Sequence, residues 1–363
     1  MRLHIAGLPH AQSVRSLTTC AFTQKNIKFC KMLGSRDWDM TLYTGDQCDA
    51  THCDHVPLYT AEEQHAWYGN IDANTLPTKA GIWDSNLEPW RVTNTRAVEA
   101  IRLRAEPHDI VCLTGGYAHK PIADALPEML CVEHAAGYEG IFAPYVCFES
   151  YAWRHYLYGK HGWDGRYYDT VIPNFFDPDE WSVSESKDDY LLFVGRLVQR
   201  KGVLTALEIA KATGRRLLLA GSGVVEARPG RVVCEELTLE HPLVEYVGTV
   251  EAKERNELMG KAHAVLVPTS YVEPFGAVAV EAQLCGTPAI TTNFGAFPET
   301  VSDEFRFDTL AEAVRCVEHA DEVDPHVLSA AALARFSLEA IAPRYERWFG
   351  NLSQLWDAGW YAT

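Results

Sequence analysis

The sequence predicts an α/β protein made of two doubly wound halves. Three observations carry that prediction. Short apolar runs alternate with helical stretches from the first residues onward, which is the signature of parallel strands joined by crossover helices. Several of those runs end in glycine or a polar residue, at Gly7, Gly45, Gly115-Gly116 and His134. The alternation breaks once, over 174–189, and then starts again. A chain of 363 residues also exceeds what one hydrophobic core usually holds, so length agrees with two domains.

In order, MRLHIAGL reads as a strand, TQKNIKFCKMLGS as a helix and MTLYTG as a strand. Residues 46–90 are rich in Asp, His, Trp, Asn and Pro and read as a long irregular insertion of loops and short helices. Then come the helix TRAVEAIRLRAE, the strand DIVCLTGG, the helix PIADALPE and the strand MLCVEH, followed by the aromatic helix FESYAWRHYLYG and the short strand YDTVIPN. The stretch NFFDPDEWSVSESKDD is polar and proline-broken, the composition of a linker. After it YLLFVG, RLLLAG, LVEYVG, AVLVP and PAITT read as strands, with helices VLTALEIAKATG, AKERNELMGKA and GAVAVEAQLCG between them. The tail is helical, with a break expected near Pro343, and carries Trp348, Trp356 and Trp360. The expected organisation is a first domain over 1–175, a linker over 176–189, a second domain over 190–340, and C-terminal helices over 341–363 that pack back on the first domain. In doubly wound sheets ligands sit at the carboxyl ends of the strands, which points to a cleft between the two halves.

Composition narrows the function. The net charge of −17, from 32 Lys+Arg against 49 Asp+Glu, argues against broad nucleic-acid binding, because phosphate backbones repel an acidic surface. No run of 18 apolar residues occurs, and the start lacks a secretory hydrophobic core, so a cytoplasmic protein is expected. Ten cysteines contain no Cys-x-x-Cys pair, and Cys112, Cys131 and Cys285 sit in apolar runs, which suits buried thiols in a reducing compartment. Cys48, His52, Cys53 and His55 lie within eight residues, but their spacing matches no common zinc pattern, and a polar loop is the reading. Asp-x-Asp occurs at Asp37–Asp39 and Asp177–Asp179, away from either sheet's binding edge, so no metal site is assigned. The oligomeric state is left open.

Chemistry concentrates in two stretches. In AVLVPTSYVEPFGAVAVEAQLCGTPAITT a strand gives way to a loop and then a helix, with Glu273 on the loop, Gly276 at the helix start and Glu281 within the helix. Free amides and the dipole at a helix start favour phosphate. The carboxylates suit hydroxyl groups, since each accepts more than one hydrogen bond. In FVGRLVQRKG a strand ends in Gly-Arg and Lys-Gly opens the next helix, placing Arg196 and Lys201 at a strand's carboxyl end. An Arg fork with a Lys point charge suits a diphosphate. A phosphate-favouring helix start, hydroxyl-favouring carboxylates and two cations together describe a sugar nucleotide.

With the AGSG turn (220–223), the VGTV turn (247–250) and CGTPAITT following in order, these stretches resemble the nucleotide-sugar-binding domain of glycosyltransferase family 4, which has the GT-B fold. The resemblance covers residues 190–301 and extends more weakly to VIPNFFDP and ARFSLEAI. It implies two Rossmann-like domains facing each other across a cleft and a retaining hexosyltransferase that uses a UDP- or GDP-sugar without a metal or other cofactor. Arg196 and Lys201 would hold the diphosphate. Glu273 would contact the transferred sugar as a catalytic residue, and Glu281 the ribose. Backbone amides at Phe275 and Gly276 would touch the sugar, and residues around Val250 would line the base pocket. A first-domain histidine often meets the sugar or acceptor in the family, and His134 fits that position as a catalytic residue. His10 is a rival, in a loop GLPHAQS that replaces the family's glycine-rich one, with Gly7 and Gly116 as further first-domain contacts and His119 weaker. The acceptor is expected to be a glycan or small molecule. Lys25, Lys28 and Lys31, with Arg36 beyond, could dock on a membrane, but a solvated helix face is the commoner use of such a pattern. Trp67, Tyr68, Trp83, Trp90, Tyr151, Trp153, Tyr156, Tyr158 and Trp163 are either a carbohydrate-stacking rim or packing. Rival functions are a phage-type transferase acting on a nucleic-acid base and a sugar-nucleotide-binding protein without catalysis. A phosphorylase-like enzyme is disfavoured by the lack of a pyridoxal-lysine context.

Overall fold

The computed structural model describes residues 1–17, 20–71 and 77–358. The elements of the first part are β1 (Arg2–Ala6), α1 (Ala21–Gly34), β2 (Asp39–Gly45), β3 (Asp54–Tyr59), α2 (Ala61–Tyr68), α3 (Glu88–Arg102), β4 (Ile110–Leu113), α4 (Lys120–Ala125), β5 (Leu130–Ala136), β6 (Tyr145–Phe148), α5 (Tyr151–His161) and β7 (Thr170–Val171). Then follow β8 (Tyr190–Val194), α6 (Val203–Thr213), β9 (Arg216–Ala220), β10 (Val224–Arg228), β11 (Arg231–Cys234), β12 (Thr238–Glu240), β13 (Val244–Gly248), α7 (Ala252–Lys261), β14 (Ala264–Val267), α8 (Ala277–Leu284), β15 (Ala289–Thr292), α9 (Phe297–Thr300), β16 (Arg306–Phe307), α10 (Leu310–His319), α11 (Pro325–Phe336) and α12 (Leu338–Ala358). The chain divides into two compact units. One comprises Met1–Glu149, Leu157–Phe175 and Leu338–Thr363, the other Ser150–Tyr156 and Phe176–Ser337.

The first unit holds a parallel sheet of seven strands in the order β3-β2-β1-β4-β5-β6-β7. The chain starts at β1, winds outward to β3 and then crosses to β4, so the strand order reverses between β1 and β4. β1 and β4 are buried on both faces, as strands covered by helices on either side must be. On one face Leu3, Ile5 and Val132 pack with Phe29 and Leu33 of α1 and with Ile341, Tyr345, Phe349 and Leu352 of α12. Pro343 lies inside α12 and does not break it. The proline removes only one backbone bond near the start, and the apolar face buried beyond it outweighs that loss. The break falls instead at Ser337, whose backbone is extended. Trp348 donates its indole N–H to the Tyr168 carbonyl at 3.0 Å. The Trp356 side chain and Trp360 lie outside the described residues.

Residues 46–90 contain the short helix expected there, α2, and also a strand, β3, that was not expected. Pro57 disguises β3, but β3 is an edge strand, where a missing N–H is tolerated. Thr60 and Glu63 cap α2 reciprocally.

The second unit holds a six-stranded parallel sheet in the order β13-β9-β8-β14-β15-β16, with its reversal between β8 and β14. Its core joins Leu191 and Phe193 of β8, Leu217 and Leu219 of β9, Val265 of β14 and Ile290 of β15. An antiparallel sheet of β10, β11 and β12 is inserted between β9 and β13. The stretch read as a linker is bonded into this unit. Lys187 donates to the carbonyls of Gly260 and Gly286 and to the Thr287 hydroxyl, at 2.7–2.9 Å, and Trp181 packs on the core.

Candidate functional site

In the second unit the sheet reversal brings the carboxyl ends of β8 and β14 side by side. Gly195 and Arg196 follow β8, and a one-turn 3₁₀ helix, Gln199–Lys201, leads to Gly202. Gly202 has φ of 80° and starts α6. A Cβ there would stand 1.8 Å from the Pro268 carbonyl oxygen, just beyond β14, so only glycine lets the two loops meet. Lys201 is thereby set against the β14 loop. Its ammonium donates to Glu273 Oε2 at 2.9 Å and to the Tyr271 hydroxyl at 2.7 Å. Arg200 and Lys201 both lie 5.0 Å from the centre of the Tyr271 ring. Burial and the neighbouring Glu273 carboxylate push the Tyr271 phenol up, so it stays protonated.

The Glu273 loop is fixed from below. Phe275 is buried among Phe176, Val280 and Phe336, which turns its side chain inward and leaves its backbone for other work. Gly276 has φ of 80° at the start of α8, and a Cβ there would press into the Phe297 ring at 2.5 Å. No side chain caps α8, so its first amides remain for an anion beside the lysine. Glu281, in the second turn of α8, lies 3.7 Å from Arg255 of α7. Val250 is half-buried against the core. Arg196 is exposed and pairs at 2.9 Å with Glu235, in the turn between β11 and β12. The neighbouring Glu236 accepts from the Gln199 amide at 3.0 Å. Thus Lys201, Glu273 and the start of α8 come together, while Arg196 is held by Glu235.

Sequence reasoning gives no role to Tyr271, although it stands two residues before Glu273. Arg255 carries no local signal at all, because its pairing with Glu281 joins two helices. The buried Thr269, beside Pro268, has a hydroxyl without a hydrogen-bond partner among the described residues.

The first-unit candidates are more enclosed. His134 is 1% exposed, and its ring centre lies 4.5 Å from that of Phe29. Neither ring nitrogen makes a well-aligned hydrogen bond to the described residues. Burial, with Lys25 nearby, pushes its pKa down to about 3. A ring so enclosed does not meet a sugar in this conformation. His10 is also buried, with Nε2 3.2 Å from Cys20 Sγ. His119 receives the Gly115 amide on Nδ1 at 3.0 Å and places Nε2 3.2 Å from the Gly7 carbonyl, which ties β1 to β4. Gly7 leaves no room for a Cβ against Thr44 and the Tyr43 carbonyl, and Gly116, with φ of 53°, none against the Gly140 carbonyl. Both therefore have packing reasons to be glycine.

Glu133, beside His134, is buried and accepts from the Tyr138 hydroxyl and the Phe142 and Ala143 amides. Desolvation nevertheless pushes its pKa up to about 7. Lys25 is not on a solvated face. It pairs with the buried Glu149 and lies 4.7 Å over the Phe22 ring. Tyr68, Trp90 and Trp153 are buried packing residues. Among the described residues no three His, Cys, Asp or Glu side chains converge as a metal site, and no helix is long and apolar enough to cross a membrane. Asp39 pairs with Arg2 at 2.8 Å, and Asp177 caps a 3₁₀ turn through the Asp179 amide.

Residues 177–319 match the family model described as glycosyl transferases group 1. A glycogen synthase of Mycobacterium tuberculosis is 35% identical over 147 residues, covering 36% of this chain and 33% of its own. A D-inositol 3-phosphate glycosyltransferase of Mycobacterium marinum is 36% identical over 122 residues, covering 32% of this chain and 26% of its own. The chain thus spans about a third or less of the length of these curated relatives. Among solved structures, AviGT4, a glycosyltransferase involved in avilamycin A biosynthesis, superposes with a TM-score of 0.68 at 20% identity, covering 97% of this chain and 98% of its own. Anabaena HepE in complex with UDP and glucose gives a TM-score of 0.64 at 15% identity, covering 97% of this chain and all of its own. The chain therefore has the GT-B fold, and its segment 177–319 matches the group 1 glycosyl transferases.

Proposed function

We propose that this chain is a retaining, metal-independent glycosyltransferase of family 4, moving a hexose from a UDP- or GDP-sugar to a hydroxyl of a glycan or small molecule. The observation that carries the proposal is the Lys201–Glu273 pair, 2.9 Å apart at the sheet reversal beside the uncapped start of α8. It lies within the segment that matches the group 1 glycosyl transferases. HepE, which shares the fold, binds UDP and glucose, and that supports a nucleotide-sugar donor here.

On donor binding, Lys201 turns from Glu273 to the diphosphate, and the amides at the start of α8 receive a phosphate oxygen. Glu273, released from the lysine, accepts hydrogen bonds from the sugar hydroxyls. Tyr271 keeps both groups in place. Arg196 leaves the exposed Glu235 to reach the diphosphate, and Arg255 steadies Glu281 for the ribose hydroxyls. As the bond from the anomeric carbon to the phosphate oxygen breaks, charge grows on the leaving diphosphate. Lys201 and Arg196 stabilise it, which is the electrostatic contribution that commonly dominates. The acceptor oxygen bonds to the anomeric carbon on the face the leaving group vacates, which gives retention, and the leaving phosphate takes the acceptor's proton. We leave His134 out of this set because of its burial, and assign the acceptor to the first unit.

The test is a panel of UDP- and GDP-sugars, read as nucleotide release with and without chelator. Release from at least one donor, unaffected by chelator, is expected. If no donor is bound or hydrolysed the transferase reading fails, and loss with chelator defeats the metal-independent part.

A further inference from the structure

All ten cysteines are free thiols, eight of them buried and two, Cys48 and Cys53, half-buried. Two of the ten are placed against each other by the way the loop entering β3 lies on α1. Cys30 and Gly34 stand four residues apart on α1 and so share one face. At Gly34 the helix is pressed against the loop, where an added Cβ would stand 1.9 Å from the His52 carbonyl oxygen. His52 turns the chain with φ of 59°, and the next residue is Cys53. The Cys30 and Cys53 thiols lie close enough for each to shift the other's ionisation. Cys48 and Cys53 both pack on the core that contains Cys30.

We propose that Cys30 and Cys53 form a redox-active dithiol, which closes reversibly to a disulfide when it meets a small-molecule disulfide as oxidant. The two thiols differ in the way such a pair requires. Cys53 is reachable from solvent, and its contact with Cys30 draws its pKa down, which favours the thiolate that attacks. Cys30 is fully buried, and the same contact together with desolvation drives its pKa up, so it keeps its proton until the second step. Cys53 thiolate attacks one sulfur of the oxidant. The oxidant's S–S bond breaks, one half leaves as a thiolate, and a mixed disulfide on Cys53 remains. The Cys30 thiol then gives up its proton and attacks the Cys53 sulfur, expelling the second half as a thiol. Two electrons pass from the cysteine pair to the oxidant; the Cys30 proton ends on the second half, released as a thiol, and the first half leaves as a thiolate. The product ties the middle of α1 to the entry of β3.

The test uses the full chain, folded, in buffers of graded reduced-to-oxidised glutathione ratio. Free thiols are alkylated on denaturation and the peptides are read by mass spectrometry. The expected result is the loss of two of the ten alkylatable thiols, a cross-linked peptide pair carrying Cys30 and Cys53, and full recovery on adding reduced glutathione. Cys48→Ser should leave that cross-link intact, and Cys53→Ser should leave Cys30 alkylatable. A link from Cys53 to Cys48, a mixed disulfide that stalls on Cys53, or ten thiols surviving at every ratio would overturn the proposal.

Discussion

Replacing Gly202 by Ala tests the steric reasoning that sets Lys201 in place. The residue has φ of 80° and ψ of 23°, a left-handed conformation that costs an L side chain about 1–2 kcal/mol. The new Cβ would also stand 1.8 Å from the Pro268 oxygen and 2.6 Å from its carbonyl carbon. That obstacle is backbone and cannot rotate away, so an overpacking cost of about 1–3 kcal/mol adds to the first. The sum is about 2–5 kcal/mol. At ~2–4 °C per kcal/mol for a domain of this size class, the melting temperature should fall by roughly 4–20 °C. Gly214→Ala is the control. It has φ of 68° at the end of α6, but nothing lies within 4 Å of the place a Cβ would take, so only the conformational cost remains, about 2–8 °C. Calorimetric melting of the two variants measures the difference. The Gly202→Ala change should also push the Lys201 loop away from Glu273 and weaken UDP or GDP binding about tenfold, whereas Gly214→Ala should not. Equal melting losses in the two variants would refute the contact argument, and unchanged nucleotide affinity in Gly202→Ala would refute the link to Lys201.

Four further outcomes are expected. Lys201→Met should lower turnover about 10²–10³-fold, the usual cost of removing one charge-stabilising group. A stability double-mutant cycle with Glu273→Gln should give a coupling of only about 1 kcal/mol, because the pair is partly exposed. Glu133 has a folded pKa of about 7 against 4.5 when free, so the folded state binds more protons between those values. Its contribution to stability is therefore full below pH 4.5 and is lost as pH rises through about 7. Glu133→Gln should flatten the pH–stability profile in that window, by on the order of 3 kcal/mol at most, as read by urea unfolding at several pH values. Lys187→Met should destabilise the second unit by about 2–4 kcal/mol in the same assay, since it leaves the Gly260 and Gly286 carbonyls without their cation.

The parallel strands are legible in the sequence because each is a short apolar run ending in glycine or a polar residue, and β8, β9 and β14 stand where those runs stand. The inserted sheet is not, because β10 is almost wholly exposed and has no apolar face to betray it. Pro229-Gly230, at the β10–β11 turn, is the available signal. β3 is hidden by Pro57, which only an edge position permits. The structure brings Lys201, Glu273 and Gly276 together, and these three are legible as a motif. That Lys201 rests on Glu273 and Tyr271, and that Arg196 rests on Glu235, is not, since both pairings join segments far apart in sequence. His134 shows the converse. Its place at the end of β5 suggests a ligand contact, but its neighbours there are Phe29 and the core beneath α1, which only the fold reveals.

The most direct test of the donor-site assignment compares wild type and Glu273→Ala with whichever nucleotide sugar releases its nucleotide, measuring turnover and donor affinity together. Turnover is expected to fall at least about 10³-fold while affinity changes less than tenfold, because in the proposed reading Glu273 faces the sugar and Lys201 still holds the diphosphate. Turnover near the wild-type rate in Glu273→Ala would contradict that assignment.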